Sequence, residues 1–148
     1  MHAPRSILFV CLGNICRSPA AEGAMRAHAA RAGLDLALDS AGTGRWHVGE
    51  PPHPPMVAAA RARGYDLSPL RARQVARADF SRFDLILAMD AQNLADLRRL
   101  APAGSAARIE AFLPGGATVP DPYYTEDFEG ALDRVEEGVA HWLAQLAA

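Results

Sequence analysis

The fold is constrained most by an apolar run that passes directly into a tight turn and a helix start. Residues 7–10 read ILFV, which is typical of a strand buried on both faces of a parallel sheet. Gly13 and Asn14 close this strand. Ser18 and Pro19 then predict a helix, with Ser18 as the N-cap and Pro19 at the first helical position. A strand, a turn and a helix N-terminus are therefore expected in immediate succession.

The rest of the chain repeats this alternation of strand and helix. The first helix is predicted over residues 20–32 and ends at Gly33, whereas residues 40–55 (SAGTGRWHVGEPPHPP) hold too much glycine and proline for regular structure. Such alternation indicates a parallel α/β sheet, and no linker divides the chain, so a single domain over residues 1–148 is predicted. Further strands are expected at 36–40, 85–88 and 109–113, and further helices at 56–63, between a capping Asp90 and Pro102, and at 128–146.

Charge and cysteine content exclude several classes of protein. With a net charge of −2, the chain has no general attraction for nucleic acid or anionic membranes, so a bound anion needs a local site. Two cysteines are too few for a disulfide framework. The chain start (MHAPRSILFVC) has only a short apolar run, which fits neither a signal peptide nor a membrane span. We therefore expect a cytoplasmic protein that binds neither nucleic acid nor membrane.

The turn after the first strand has the composition of an anion site. Backbone N–H groups converge at a helix N-terminus, where the helix dipole is positive. Gly13 supplies backbone freedom there, and Asn14 tolerates left-handed geometry. Arg17 adds a planar set of donors that matches two oxygens of a phosphate. The predicted phosphate loop runs from Cys11 to Ser18 and includes Leu12, Gly13, Asn14, Ile15, Cys16 and Arg17.

Cys11 is the candidate nucleophile of this loop. A helix N-terminus and a neighbouring arginine favour the thiolate form of cysteine, so we expect Cys11 to be ionised at neutral pH. It can then attack a bound phosphate monoester and form a phosphocysteine, while Ser18 donates a hydrogen bond that makes the sulfur a better leaving group. The alternative is that Cys11 is a buried structural thiol and Arg17 a surface charge.

The departing alkoxide or phenoxide also needs a proton, which arginine cannot supply. The candidate acid is Asp121 in the stretch VPDPYYTEDF, where Pro120 and Pro122 stiffen the backbone on both sides. The alternative role for Asp121 is that of a turn residue before the last helix. The residues alone leave this choice open.

Four ordered segments resemble the low-molecular-weight protein tyrosine phosphatase family over nearly the whole chain. They are VCLGNICRSP, SAGT with WHVG, ARQV with ILAMD, and DPYY. The resemblance implies an open, twisted, four-stranded parallel sheet with helices on both faces, a Rossmann-like or flavodoxin-like phosphatase fold. It also implies hydrolysis of protein phosphotyrosine and small aryl phosphates through a phosphocysteine, without a metal or other cofactor. Phosphate and other oxyanions are expected in the loop, and we expect a monomer, with weak self-association left open.

The resemblance assigns roles to single residues of the loop and beyond it. Cys11 matches the nucleophile and Arg17 the phosphate ligand. Asp121 matches the general acid that later activates water. Asn14 and Ser18 match positions that shape the loop and assist the thiolate.

Four further positions match the family outside this central set. Cys16 matches a second cysteine that traps an oxidised nucleophile as a disulfide and so protects it from further oxidation. Trp46 matches an aromatic residue on the rim, and Tyr123 and Tyr124 match the opposite wall, between which an aryl phosphate fits. The resemblance also suggests regulatory phosphorylation of the two tyrosines.

Three positions depart from the family pattern. The family usually carries an acidic residue at His53 and a basic one at Pro55, and commonly a histidine at Leu70. We therefore expect weaker support of Asn14 and Ser18, with the loop still active. His53, a lone histidine in a loop, is interpreted as solvated and is given no ligand role.

Three other functions are weighed against this one. Related protein-arginine phosphatases share the loop but have threonine at the position of Ile15, and isoleucine together with Trp46 favours a flat aromatic substrate. An arsenate reductase would need relay cysteines beyond Cys11 and Cys16. A phosphocysteine carrier or phosphate-binding module would gain nothing from an acid at Asp121.

Overall fold

Four parallel strands form one sheet in the order β2-β1-β3-β4 in the computed structural model, which describes residues 4–147. The predicted strands are confirmed, with bounds that differ by one or two residues. The first three residues, which belong to the chain start discussed above, lie outside the described part. The strands are β1 (Ser6–Cys11), β2 (Ala37–Gly42), β3 (Leu85–Ala88) and β4 (Arg108–Ala111).

The predicted long helices are also confirmed. Two four-residue helices were not predicted, because such short segments carry no periodic pattern. No helix in the described range is long and apolar enough to cross a bilayer. The helices are α1 (Arg17–Arg31), α2 (Pro54–Ala62), α3 (Asp79–Arg82), α4 (Ala91–Leu100), α5 (Pro122–Thr125) and α6 (Phe128–Ala147).

The start of α1 differs from the prediction. The N-cap is Cys16, not Ser18, and no side chain caps this helix. The Ser18 hydroxyl lies 3.0 Å from the Sγ atom of Cys11, so it is not used for capping. Pro19 is consequently the third helical residue, still within the first turn, where a missing N–H costs no helical hydrogen bond.

The glycine- and proline-rich loop is shorter than predicted at both ends. Gly42 still belongs to β2 and pairs with Cys11, and α2 already begins at Pro54. The irregular segment is therefore 43–53. Proline is well suited to the first helical turn, which explains why the second half of the PPHPP stretch starts a helix.

Strand β1 is buried on both faces, as predicted. Ile7 and Phe9 pack with α1, α2 and α6 on one face of the sheet, and Leu8 and Val10 pack with α3 and α4 on the other. Because successive side chains of this apolar strand point to opposite faces of the sheet, β1 contributes to the hydrophobic cores on both faces.

The neighbours of β1 place its carboxyl end at the centre of the sheet edge. The chain passes from β1 to β2 on one side and then crosses back over β1 to β3 on the other side. The order in which strands are added therefore reverses at β1. Ligand sites in open α/β sheets lie at such switch points, outside the carboxyl ends of the strands. Cys11 is the last residue of β1 and therefore occupies this position.

Candidate active site

Cys11 lies on the floor of a cleft with a volume of about 300 Å³. Its side chain is only 2% exposed. The Ser18 hydroxyl is 3.0 Å from Sγ, and the backbone N–H of Asn14 donates to Sγ over 3.3 Å. The sulfur is therefore hydrogen-bonded to one backbone N–H group and to one hydroxyl group of the loop. The cleft is lined by Cys11, Leu12, Gly13, Asn14, Ile15, Cys16, Arg17, Trp46, His47, Asp121, Tyr123 and Tyr124.

Asn14 holds the loop in shape with its whole side chain. Its backbone adopts a left-handed conformation with φ of 58°, as its residue type predicted. The Nδ2 atom donates to the hydroxyls of Ser18 (2.8 Å) and Ser40 (3.0 Å), and Oδ1 accepts from the backbone N–H of Arg73 (2.9 Å). The expected weakening of this support is wrong, because every polar atom of the amide has a partner although Leu70 packs against the hydrophobic core.

A buried carboxyl group extends this network away from the cleft. Ser40 donates to Oε1 of Glu22 over 2.8 Å, and Arg26 donates to Oε2 over 2.7 Å. Burial raises the pKa of Glu22, and these two hydrogen bonds offset the increase only in part. A continuous chain of hydrogen bonds therefore leads from Glu22 through Ser40, Asn14 and Ser18 to the sulfur of Cys11.

Gly13 lies close to a side chain on the other side of the cleft. Asn14, and not Gly13, is the loop residue with a positive φ. A Cβ atom at Gly13 would lie 3.1 Å from Cδ2 of His47. His47 lines the cleft and places Nδ1 3.2 Å from the carboxylate of Glu50. The sequence interpretation missed His47, although it directly follows Trp46 in the stretch WHVG.

Arg17 is 3% exposed and is held by three groups. Its NH1 atom donates to Oδ2 of Asp90 (2.8 Å) and to the carbonyl of Val119 (3.1 Å), and NH2 lies 3.5 Å from Oδ2 of Asp121. Burial disfavours the charged guanidinium, but the adjacent Cys11 and the two carboxylates outweigh this and raise the pKa of Arg17. The guanidinium is therefore a fixed positive charge, and the reading of Arg17 as a surface charge is excluded.

Asp90 has two functions, of which only one was predicted. Its Oδ1 atom accepts from the backbone N–H of Asn93 and caps α4, as expected. Its Oδ2 atom binds Arg17, as described above. The position of Asp90 just after β3, at the same sheet edge as Cys11, is the signal that could have indicated this second contact.

Asp121 is a turn residue that also lines the cleft. Its Oδ1 atom accepts from the backbone N–H of Tyr123 over 3.1 Å and caps α5, so it is a turn residue. Its Oδ2 atom points toward Arg17, and the residue lines the cleft. The carboxylate is half-buried and lies on the same side of the cleft opening as α5.

Aromatic side chains form the rim of the cleft. Trp46 is 69% exposed, Tyr123 45% and Tyr124 73%. The two tyrosine rings contact each other edge to face, with centroids 5.4 Å apart. All three predicted rim residues therefore border the opening and are accessible to a substrate.

His53 is only partly solvated and packs on aromatic side chains, which its interpretation as a solvated loop residue did not predict. Its ring is half-buried, with its centroid 5.3 Å from that of Tyr123 and 5.7 Å from that of Phe128. Pro55, the neighbouring departure from the family pattern, is exposed in the first turn of α2. The aromatic partners of His53 come from a distant part of the chain, which explains why no local pattern indicated them.

The second cysteine of the loop, Cys16, has a strongly raised pKa. Burial, together with the nearby Cys11 and Asp121 and despite the opposing effect of Arg17, raises the pKa of Cys16 to about 12. Cys16 is therefore a thiol at neutral pH. Both cysteines are free.

Fold and cleft together define the class of the molecule as an open parallel α/β protein with a cysteine and a buried arginine in a cleft at the carboxyl edge of its sheet. The family model described as "Low molecular weight phosphotyrosine protein phosphatase" matches residues 6–148, and the chain belongs to this family. The resemblance stated from the sequence is thereby confirmed.

Individual relatives agree with this assignment. The low molecular weight protein-tyrosine-phosphatase YfkJ of Bacillus subtilis is 43% identical over 148 residues, 95% of each chain, and its crystal structure covers 96% of this chain and 94% of its own with a TM-score of 0.90. A low molecular weight protein-tyrosine-phosphatase of Streptomyces coelicolor is 45% identical over 93% of this chain and 91% of its own. The structure of a Drosophila arginine phosphatase is 28% identical and covers 96% of this chain and 98% of its own with a TM-score of 0.89.

Proposed function

We propose that this protein is a phosphatase that hydrolyses protein phosphotyrosine and small aryl phosphates through a phosphocysteine on Cys11. The observation that carries this proposal is the setting of the sulfur. Sγ lies at the floor of the cleft, accepts a hydrogen bond from the backbone N–H of Asn14, lies 3.0 Å from the Ser18 hydroxyl, and has the buried Arg17 guanidinium nearby. Such a setting stabilises a thiolate and also binds the phosphate that the thiolate attacks.

In the first step, Sγ of Cys11 attacks phosphorus, and the bond between phosphorus and the tyrosine oxygen breaks. The loop N–H groups and the guanidinium of Arg17 hold the three equatorial oxygens, where negative charge is spread in the transition state. Asp121, in its protonated form, gives its proton to the departing phenoxide. The products are a phosphocysteine, the free tyrosine side chain and an Asp121 carboxylate.

In the second step, water attacks the phosphocysteine and the sulfur departs. The Asp121 carboxylate accepts a proton from the water as it bonds to phosphorus, which restores the acid. The Ser18 hydroxyl, 3.0 Å from Sγ, stabilises the thiolate that is released with inorganic phosphate. Cys16 stays protonated and is not a second nucleophile for phosphate; it is available as the partner of an oxidised Cys11 in a protective disulfide.

The rim favours a flat aromatic substrate. Trp46, Tyr123 and Tyr124 present exposed rings at the opening, against which the ring of a phosphotyrosine can stack. The similarity to an arginine phosphatase makes phosphoarginine the second candidate substrate. Ile15, which lines the cleft, and the aromatic rim place phosphotyrosine ahead of it.

A carrier that only holds phosphate is disfavoured by Asp121, whose carboxylate faces the site where a proton would be needed. Vanadate and inorganic phosphate, as oxyanions of the right shape, are expected to compete with substrate. A reducing cytoplasmic compartment and a monomeric state remain predictions, of which the first rests on the low cysteine content of the chain.

The test compares the wild type, Cys11→Ser and Asp121→Asn with para-nitrophenyl phosphate, phosphotyrosine and phosphoarginine as substrates. Cys11→Ser should lose turnover and form no covalent phosphoenzyme after acid quenching, whereas the wild type should form one. Asp121→Asn should lose about a hundred- to ten-thousandfold in rate with phosphotyrosine. Undiminished turnover by Cys11→Ser would refute the proposal. Faster hydrolysis of phosphoarginine than of phosphotyrosine would show that phosphoarginine is the preferred substrate class.

A further inference from the structure

We infer that His53 is a positioning residue that couples the phosphate loop to the segment carrying Asp121 and so determines how well Asp121 protonates the leaving group. This inference rests on the function proposed above. It concerns a position at which this chain departs from the family pattern, and His53 contacts both the phosphate loop and the segment of Asp121.

The backbone of His53 is attached to the phosphate loop. Its N–H donates to the carbonyl of Ile15 over 2.8 Å. Its own carbonyl accepts from the N–H groups of Met56 (2.9 Å) and Val57 (3.0 Å), which start α2. The main chain at His53 is thus fixed to the loop above Cys11 and to a core helix.

The surrounding prolines make this attachment stiff. His53 stands between Pro52 and Pro54 in the stretch PPHPP. A residue before proline is restricted to extended conformations, and His53 has φ of −56° and ψ of 125°, within that region. Little conformational freedom is left for the backbone that carries the imidazole ring.

The ring of His53 contacts the other side of the site. It packs on Tyr123 at 5.3 Å and on Phe128, the first residue of α6, at 5.7 Å between centroids. The backbone N–H of Tyr123 in turn donates to Oδ1 of Asp121 over 3.1 Å. The ring therefore supports the residue whose backbone orients the acid.

Apart from the ion pair of 3.5 Å between Asp121 and Arg17, the segment of Asp121 has few other supports. Tyr123 and Tyr124 are exposed, and of the residues in α5 only Pro122 is buried. Without the imidazole ring, Tyr123 would retain only His47 and Tyr124 as aromatic neighbours. The carboxylate would then sample positions displaced from the leaving oxygen, and small displacements of a catalytic group are costly in rate.

A ring that only stabilises the fold would affect all substrates alike. A ring that acts through Asp121 affects most the substrates that depend on the acid, because a basic leaving group needs a proton and a weakly basic one departs without it. The dependence of kcat/KM on the leaving group therefore separates the two roles.

The experiment measures kcat/KM for phenyl phosphate and para-nitrophenyl phosphate with the wild type, His53→Ala and His53→Phe. His53→Ala should lose about threefold to thirtyfold with phenyl phosphate and less than about twofold with para-nitrophenyl phosphate. His53→Phe keeps a ring between Tyr123 and Phe128 and should restore most of the loss. His141→Ala, which removes an imidazole that packs on Trp142 at 5.2 Å, is the matched control and should leave both values unchanged.

A second comparison uses the Asp121→Asn background. If His53 acts through Asp121, adding His53→Ala there should cause no further loss. Equal losses with both substrates, or a full additional loss in that background, would overturn the inference. A wild type without turnover, or an active Cys11→Ser, would instead refute the proposed function, so the two failures are distinguishable.

Discussion

The phosphate loop, residues 11–18, and the acid segment, residues 121–125, border the same cleft but are held in different ways. Hydrogen bonds to the loop come from distant parts of the chain, including the backbones of Thr43, Gly44 and Arg73. The acid segment makes most of its backbone bonds within itself, as between Thr125 and Asp121. Six of the eight loop residues are buried, whereas both tyrosines of the segment are exposed.

This difference matches the tasks of the two regions. Stabilising a phosphoryl transition state needs donors that are fixed before the substrate arrives, because reorganising them would cost part of the gain. In the proposed mechanism, the acid segment must admit a bulky protein substrate and then deliver one proton. Arg17 connects the regions, with a short bond to Asp90 and a longer one of 3.5 Å to Asp121.

The largest effect is expected from Arg17→Lys, which removes the planar donor set from the rigid region. A lysine offers one point charge in place of the two-pronged guanidinium and cannot reach Asp90, the Val119 carbonyl and a phosphate together. The value of kcat/KM for para-nitrophenyl phosphate should fall about a hundred- to thousandfold, and competitive inhibition by inorganic phosphate should weaken in parallel. A loss below tenfold would show that the loop amides alone suffice.

A smaller but still large effect is expected from Asn14→Ala. The substitution leaves Ser18, Ser40 and the Arg73 N–H without their partner and places alanine at a positive φ, which together should lower the free energy of unfolding by about 2–4 kcal/mol. Urea denaturation measures this, and kcat should fall as well. Because glycine tolerates the positive φ, Asn14→Gly should recover only the part of the lost free energy of unfolding that comes from backbone strain. Unchanged stability in both variants would mean that the loop is held by its backbone alone.

The buried carboxyl at the far end of the network predicts a dependence of stability on pH. Because burial raises the pKa of Glu22 in the folded protein, the folded state binds its proton more tightly than the unfolded state. The stabilisation is complete below the ordinary value near 4.5 and is lost as pH rises through the raised pKa. Glu22→Gln should lack this loss. The free energy of unfolding, measured by urea denaturation at several pH values, should therefore fall with pH in the wild type relative to the variant. The same dependence on pH in both proteins would contradict the prediction.

The smallest effect on stability is expected on the exposed side of the cleft. Tyr124→Ala removes a ring that is 73% exposed, so the free energy of unfolding should change by less than about 0.5 kcal/mol. The loss of stacking should raise KM for phosphotyrosine about two- to tenfold and leave kcat nearly unchanged. A loss of stability comparable to that of Asn14→Ala would remove the contrast between the two regions.

The sequence predicted the long elements of the fold and the centre of the site, and it was less successful at the periphery. Cys11, Asn14, Arg17 and Ser18 could be placed together because one strand, one turn and one helix start bring them together within a short stretch. The prediction of Ser18 as the N-cap of α1 was wrong because the Ser18 hydroxyl contacts the sulfur of Cys11 instead.

The amino-acid sequence by itself determined the strand, turn and helix start that form the loop from Cys11 to Ser18, since apolar periodicity and turn residues act over a few positions. The tertiary structure alone decided which distant groups contact that loop. Asp90 and Ser40 reach it because the sheet order brings β2 and β3 to either side of β1 and aligns their carboxyl ends, and His53 reaches it through its N–H bond to the Ile15 carbonyl. Such contacts depend on register and packing between segments far apart in the chain, and no local pattern records them.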